Sequence, residues 1–380
     1  MVVDLFSGAG GLSLGFGMAG FTIVVAVDKD VNVGQTYSHN NPGVEFLPKQ
    51  IERLDGDEIL DIVADRGFGK VDVVIGGPPC QAFSCANRKS NGFNHPSSNG
   101  IWEFLRLIGE IRPRAFVMEN VVGIRSLQKG EFMLRIVEQV KTLGYKQVEN
   151  AVLRATHFGV PQHRRRNFLI GTLYDSCIEL YWTARDSVTV GDAIGDLPPL
   201  PEGGGGAYET DYTTKPQTKY QKLMREGASK LFNHITAQSG RKDFRVVETF
   251  RLIPQGGTLN SVWETLPERL KERFHCVEKG IVHSNIYRRL CWNQPAPTIV
   301  HVRKAVLIHP IQHRLLSVRE AARLQGFPDS FRFFGGVSEQ YQQIADAVPP
   351  RVAYAVAKKL ARYLQKKETS EVYPRNVHSL

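Results

Sequence analysis

The chain alternates short β-branched runs with stretches of helical periodicity, and few folds accept that pattern. Val2-Val3-Asp4-Leu5-Phe6 reads as a buried strand followed by a glycine-rich turn. Thr22 to Val27, Val71 to Ile75, Ala115 to Met118 and Asn167 to Gly171 read the same way. Such runs, separated by helical stretches, imply βαβ units and a mostly parallel sheet. Trp102, Leu105, Ile108 and Ile111 share one helix face, which Pro113 ends. Leu134, Ile136, Val137 and Val140 form a second stripe, ended by Gly144. Val352, Val356, Leu360 and Leu364 repeat every four residues after Pro349-Pro350. The tail after Gln365 reads as frayed.

The pattern breaks near residue 185. Leu197-Pro198-Pro199-Leu200-Pro201 and Gly203 to Gly206 make a Pro/Gly-rich stretch. Basic and aromatic residues without clear periodicity follow, and regular structure resumes near Ser317. The expected organisation is an α/β sheet domain over 1–185, a smaller irregular domain over 186–335, and a return to the first over 336–380. A chain of 380 residues suits one large and one smaller domain.

The net charge of +10 favours a polyanionic partner, nucleic acid ahead of membrane. No apolar stretch reaches the length of about 18 residues that spans a bilayer. The opening residues lack the basic start of a signal peptide, so a cytoplasmic protein is expected. The five cysteines include no Cys-x-x-Cys pair, so neither a disulfide framework nor zinc is signalled. His309 and His313 read as ordinary loop histidines, and no metal is expected.

Four segments carry chemistry. In Asp4-Leu5-Phe6-Ser7-Gly8-Ala9-Gly10-Gly11-Leu12 the glycines allow a tight turn and close approach to a ligand. Asp28 ends the next strand, where a nucleoside ribose is held in such folds. Gly15-x-Gly17-x-x-Gly20 matches the dinucleotide formula but lies inside the following helix, and the match reads as accidental. Gly76-Gly77-Pro78-Pro79-Cys80-Gln81 follows a buried strand, so a cysteine sits behind a rigid lead-in at the ligand edge of the sheet. Met118-Glu119-Asn120-Val121 stands at another strand end. Gln162-His163-Arg164-Arg165-Arg166 leads into a strand, and Arg164 and Arg166, two apart, would project to one side.

In order and spacing these segments resemble those of the cytosine-C5 DNA methyltransferases, over nearly the whole chain. Arg319-Glu320-Ala321-Ala322-Arg323-Leu324-Gln325-Gly326-Phe327-Pro328 and Gln343-Ile344-Ala345-Asp346-Ala347-Val348-Pro349-Pro350 are similar to two further motifs of that family. The resemblance implies a Rossmann-like sheet with helices on both faces and a target-recognition domain over 186–335. It implies transfer of a methyl group from S-adenosylmethionine to C5 of a flipped cytosine in duplex DNA, leaving S-adenosylhomocysteine. Cys80 would be the nucleophile, Glu119 the acid at N3 and Arg166 a donor to O2, with Arg164 beside it. The donor would be held by Phe6, Ser7, Gly8, Ala9, Gly10, Gly11, Asp28, Lys29, Gln50, Ile51, Pro79, Ile101, Asp346 and Ala347. DNA would meet Gln81, Ser84, Arg88, Lys89 and Gln162, with residues 81–100 as a closing loop. A monomer is expected, with a restriction endonuclease as a functional partner.

Two positions depart from the family pattern. Gln50 stands where an acid is usual, and Ala345-Asp346-Ala347 replaces Gly-Asn-Ala. Both bear on donor binding, because Gln50 accepts only through its amide oxygen and Asp346 adds a charge. Rival readings fare worse. The tRNA-methylating branch carries a Cys-Phe-Thr signature that is missing here. An intact set of Pro79-Cys80, Glu119 and Arg166 disfavours a silent DNA-binding regulator. Amino-methyltransferases need an aromatic where Cys80 stands, and the broken glycine fingerprint disfavours a dehydrogenase.

Overall fold

A computed structural model describes residues 1–79, 99–184, 186–237, 244–272, 274 and 286–372, with side chains through 366. The chain forms two compact units: Met1–Arg154, Arg165–Thr183 and Val348–Leu380 make the first, and Ala155–Arg164 with Ala184–Ala347 the second.

The first unit is built on a seven-stranded sheet. Its strands are β1 (Val2–Leu5), β2 (Ile23–Val27), β3 (Glu45–Leu47), β4 (Val73–Gly76), β5 (Ala115–Val121), β6 (Gln147–Arg154) and β8 (Arg165–Thr172); the short β7 (Gln162–His163) belongs to the second unit. The order is β3-β2-β1-β4-β5-β8-β6, and only β8 runs antiparallel to its neighbours. The order reverses between β1 and β4, and such a switch point opens a crevice at the carboxyl ends of the strands.

Helices α1 (Gly11–Met18), α2 (Val31–Asn40), α3 (Gly56–Asp65), α4 (Asn99–Ile111) and α5 (Glu131–Thr142) join these strands. Val3, Leu5, Val74, Phe116, Met118 and Leu169 share a core with α3, α4 and α5. The alternate strand residues Val2, Val73, Ile75, Val117 and Ile170 are buried outside it. On that second face α1 crosses the C-terminal helix Pro350–Val372. A Cβ on Gly15 would stand 2.4 Å from the Ala353 Cβ, and one on Gly11 2.3 Å from the Val348 carbonyl. Gly15 is therefore a packing glycine, which accounts for the stray fingerprint. The stripe assigned to α5 needs one correction: Leu134 is 64% exposed, and Phe132, Met133, Ile136 and Val140 face the core. The C-terminal helix also continues past Gln365 to Val372 rather than fraying there.

The second unit is irregular but has an ionic centre. Helix Val318–Gln325 is buried along its full length, although it carries Arg319, Glu320 and Arg323. Ser317 caps it in a box with Glu320, whose carboxylate also takes two bonds from Arg314 at 2.8 and 2.7 Å. Burial opposes that charge, but Arg314 holds the Glu320 carboxyl well below the usual range. Arg323 bridges Asp329, at 2.8 and 2.6 Å, and Asp196. Arg319 donates to the carbonyls of Phe232, Pro328 and Phe331. His309 is buried, and its Nδ1 accepts from the backbone of Ile311 and Gln312. Among the described residues no cluster of ligands fits a metal ion, and no helix is long and apolar enough to cross a membrane.

Candidate active site

The chemistry-bearing segments of the first unit meet at one edge of the sheet. The glycine loop leaves β1, Gly77-Pro78-Pro79 leaves β4, Glu119 and Asn120 end β5, and Arg166 opens antiparallel β8 at the same edge. Neighbouring strands lie about 4.8 Å apart, so the loop, the turn and the carboxylate occupy consecutive strand positions.

Phe6 begins the loop at φ 57, a strained conformation for a bulky residue, and Gly8 and Gly10 follow at φ 51 and 95. The Asp28 carboxylate accepts from the Gly8 amide at 2.9 Å and from Asp30 at 3.0 Å, which fastens the loop to the end of β2. A Cβ on Gly8 would meet nothing within 4 Å, and the buried Ser7 hydroxyl has no partner. An open cradle with an unused hydroxyl fits a polar ligand lying on the loop. Lys29, next to Asp28, and Gln50 are both exposed, and Pro79 and Phe6 flank Gly100.

Behind the loop lies a group that sequence reading passed over. Ser13 on α1 bonds the buried Asp4 carboxyl at 2.6 Å and the Tyr37 hydroxyl on α2 at 2.6 Å. The other Asp4 oxygen has no partner. Desolvation pushes the Asp4 carboxyl up to about 7, and the Asp28 charge adds to the effect. The folded protein therefore binds this proton more tightly than the unfolded chain. The Asp4 contribution to stability is full below pH about 4 and declines as pH rises to about 7. The total decline is on the order of 4 kcal/mol. Urea unfolding between pH 5 and 8 should show it, and Asp4→Asn should flatten that part of the profile. Parallel profiles for the two proteins would refute the assignment.

Glu119 is 8% exposed, and its Oε1 lies 2.9 Å from Arg166 Nε. Register explains the pairing: Val121 faces Arg166 and Glu119 faces Phe168, so the two side chains are diagonal neighbours on one face. Asn120 points to the other face. Its amide donates to the Pro78 carbonyl at 3.0 Å and its oxygen accepts from the Val121 amide at 2.9 Å, which ties the Pro-Pro turn to β5. A Cβ on Gly77 would approach Glu119 Oε2 to 3.3 Å, so a larger residue there would crowd the carboxylate. Cys80, Gln81, Ser84, Arg88 and Lys89 lie outside the described residues.

Several of the expected site residues are buried with partners of their own. Gln162 is fully buried in the second unit: its amide donates to the Leu324 carbonyl and to Gln325, and its oxygen accepts from Ile299 N. All of these partners lie in its own unit. Arg164 is buried too, and its guanidinium donates to the carbonyls of Ile299, Ala345 and Ala347. These bonds hold the backbone of the last motif. Ile101 and Ile51 are buried in the main core. Asp346 accepts from Gln342 at 2.9 and 2.8 Å, so its added charge has a partner within its own helix.

A switch-point crevice, a glycine loop and a carboxylate–guanidinium pair define a nucleoside-binding α/β enzyme. The profile of the C-5 cytosine-specific DNA methylases matches residues 1–362. The chain is 35% identical over 387 residues to the Type II methyltransferase M.DdeI of Desulfomicrobium norvegicum, covering 96% of this chain and 89% of that protein. It is 32% identical over 427 residues to the Type II methyltransferase M.AgeI of Thalassovita gelatinovora, covering 93% and 97%. A crystal structure of a protein provisionally described as a prophage-encoded DNA modification methyltransferase (E. coli) superposes with a TM-score of 0.75 at 27% identity, covering 96% of this chain and 99% of that one. The chain belongs to the C-5 cytosine-specific DNA methylase family. Its activity is DNA cytosine-C5 methylation.

Proposed function

We propose that the chain flips a cytosine out of duplex DNA, attacks its C6 with the Cys80 thiolate, and methylates C5 from S-adenosylmethionine. The observation that carries this reading is the Glu119–Arg166 pair beside the Gly77-Pro78-Pro79 turn that leads to Cys80.

Cytosine C5 is a weak nucleophile, and covalent addition at C6 splits one hard step into easier ones. The Cys80 sulfur forms a bond to C6 and the displaced ring electrons make C5 enamine-like. Glu119 hydrogen-bonds the N3 edge and supplies the proton that neutralises the ring, while Arg166 donates to O2. The donor supplies an electrophilic methyl group. The residues that suit it are Ser7 to Gly11, with Asp28 ordering the loop. C5 would take that methyl group, leaving S-adenosylhomocysteine; a base then takes the C5 proton, the N3 proton returns to Glu119, and the C6–sulfur bond breaks to restore the Cys80 thiolate. The target atoms lie within the base stack, so the base must leave it.

The second unit is proposed to read the DNA sequence. The Type II names of the relatives support a modification role beside a restriction endonuclease, and bisulfite sequencing of DNA from expressing cells would locate the site. A duplex with 5-fluorocytosine at that site tests the mechanism, because fluorine blocks the final elimination. A stable protein–DNA adduct is expected with the wild type and none with Cys80→Ala. An adduct that persists in the variant would remove Cys80 from the mechanism.

A further inference from the structure

The face of β6 and β8 turned away from Glu119 carries a second polar group. In the β6–β8 register Arg154 faces Arg165, Val152 faces Asn167 and Asn150 faces Leu169. Residues facing each other across a ladder project to the same side, and alternation places Arg165, Asn167 and Leu169 on one face with Arg166 on the other. The face therefore runs from the Leu169 core, through Asn167, to two exposed arginines at the site edge.

Three features of this row are unusual. Arg154 and Arg165 are directly opposed like charges, which destabilise a ladder. Neither guanidinium has a hydrogen-bond or ion-pair partner among the described residues. Asn167 is 1% exposed, yet neither its amide nitrogen nor its oxygen is bonded, and the Asn150 side-chain oxygen is also buried without a partner. Buried amides are normally satisfied, so an unmet pair points to water or a ligand. Two guanidinium groups about 5 Å apart at the Cβ atoms, with an amide donor beneath, form a site for a tetrahedral oxyanion.

We propose that Arg154 and Arg165 together grip one phosphodiester of the DNA backbone, with an ordered water between that phosphate and Asn167. The inference rests on the reading that duplex DNA meets this sheet edge. Arg165 directly precedes Arg166, so a held phosphate would fix the strand on one face while Arg166 works on the other. The contact is to the backbone and carries no sequence information.

Fluorescence anisotropy with a labelled duplex, from 50 to 200 mM salt, tests it on the full chain. Arg154→Ala/Arg165→Ala should weaken binding about tenfold and make the slope of log affinity against log salt shallower by about 0.9, one shared phosphate. The slope should be retained in Arg154→Lys/Arg165→Lys. Without DNA, the melting temperature of the alanine variant should equal or exceed that of wild type, because a like-charge pair is gone. A fall would mean the arginines bond within the protein, and would overturn the proposal. So would an unchanged affinity and slope. Stabilisation of wild type by inorganic phosphate, lost in the alanine variant while the DNA slope stays unchanged, would assign the site to a free anion and overturn the DNA contact. A wild type that fails to bind duplex at every salt would instead sink the underlying DNA reading, and this inference with it.

Discussion

Glu119→Gln is expected to lower turnover by ~10²–10⁴, the range a positioned acid contributes. The amide keeps the size of the side chain and an oxygen that can still accept from Arg166, so the pair seen at 2.9 Å survives in altered form. What disappears is the proton for cytosine N3. Without it, the electrons pushed in by the thiolate remain as ring charge, and addition becomes uphill. Donor binding should be untouched, because Ser7 to Gly11, proposed to hold the donor, follow β1, whereas Glu119 lies on β5. Single-turnover methylation together with calorimetry of donor binding separates the two effects. A variant with near wild-type turnover would move the acid role elsewhere, and a lost donor affinity would make Glu119 a structural residue.

The largest effect on stability is expected at Arg323. Both its carboxylate partners, Asp196 and Asp329, are fully buried with it. Arg323→Leu leaves two charges without their common counter-ion, although Arg225 still reaches Asp196. Breaking a buried pair from one side costs about 3–5 kcal/mol, because the remaining charge is stranded. The exposed pair of Arg251 with Glu202 at 2.7 Å supplies the contrast: water screens it, and removing it should leave stability close to that of the wild type. Denaturant unfolding of the two variants against wild type makes the comparison. An Arg323 variant within about 1 kcal/mol of wild type would show that this network is not a folding constraint.

This network also explains why one motif was visible in the sequence and opaque in purpose. Arg319, Glu320 and Arg323 stand on a helix whose charged pattern suggests solvent, yet the helix is buried. Their partners are Asp196, Phe232, Arg314 and Asp329, the first two of them distant in the chain. Periodicity reports which residues share a face and is silent on what covers it.

The surroundings of Gln162 and Arg164 were hidden for a related reason. Strand alternation placed Arg164 beside Arg166, but Ala155–Arg164 belongs to the second unit and Arg165 returns to the first. A change of unit between adjacent residues leaves no mark on local pattern. The Asp4–Ser13–Tyr37 line was hidden because a strand aspartate next to a glycine loop reads as part of the loop.

By itself the sequence determined the alternating sheet, the loops at strand ends and the family, because β-branched runs, glycines and prolines act on the backbone within a few residues. It also brought Glu119 and Arg166 forward as partners, each from its own strand end. Only the tertiary structure decided that Glu119 and Arg166 touch each other on one face of the sheet, and which charges are buried. Those outcomes depend on strand order, register and long-range burial, and they are settled only when separate segments meet.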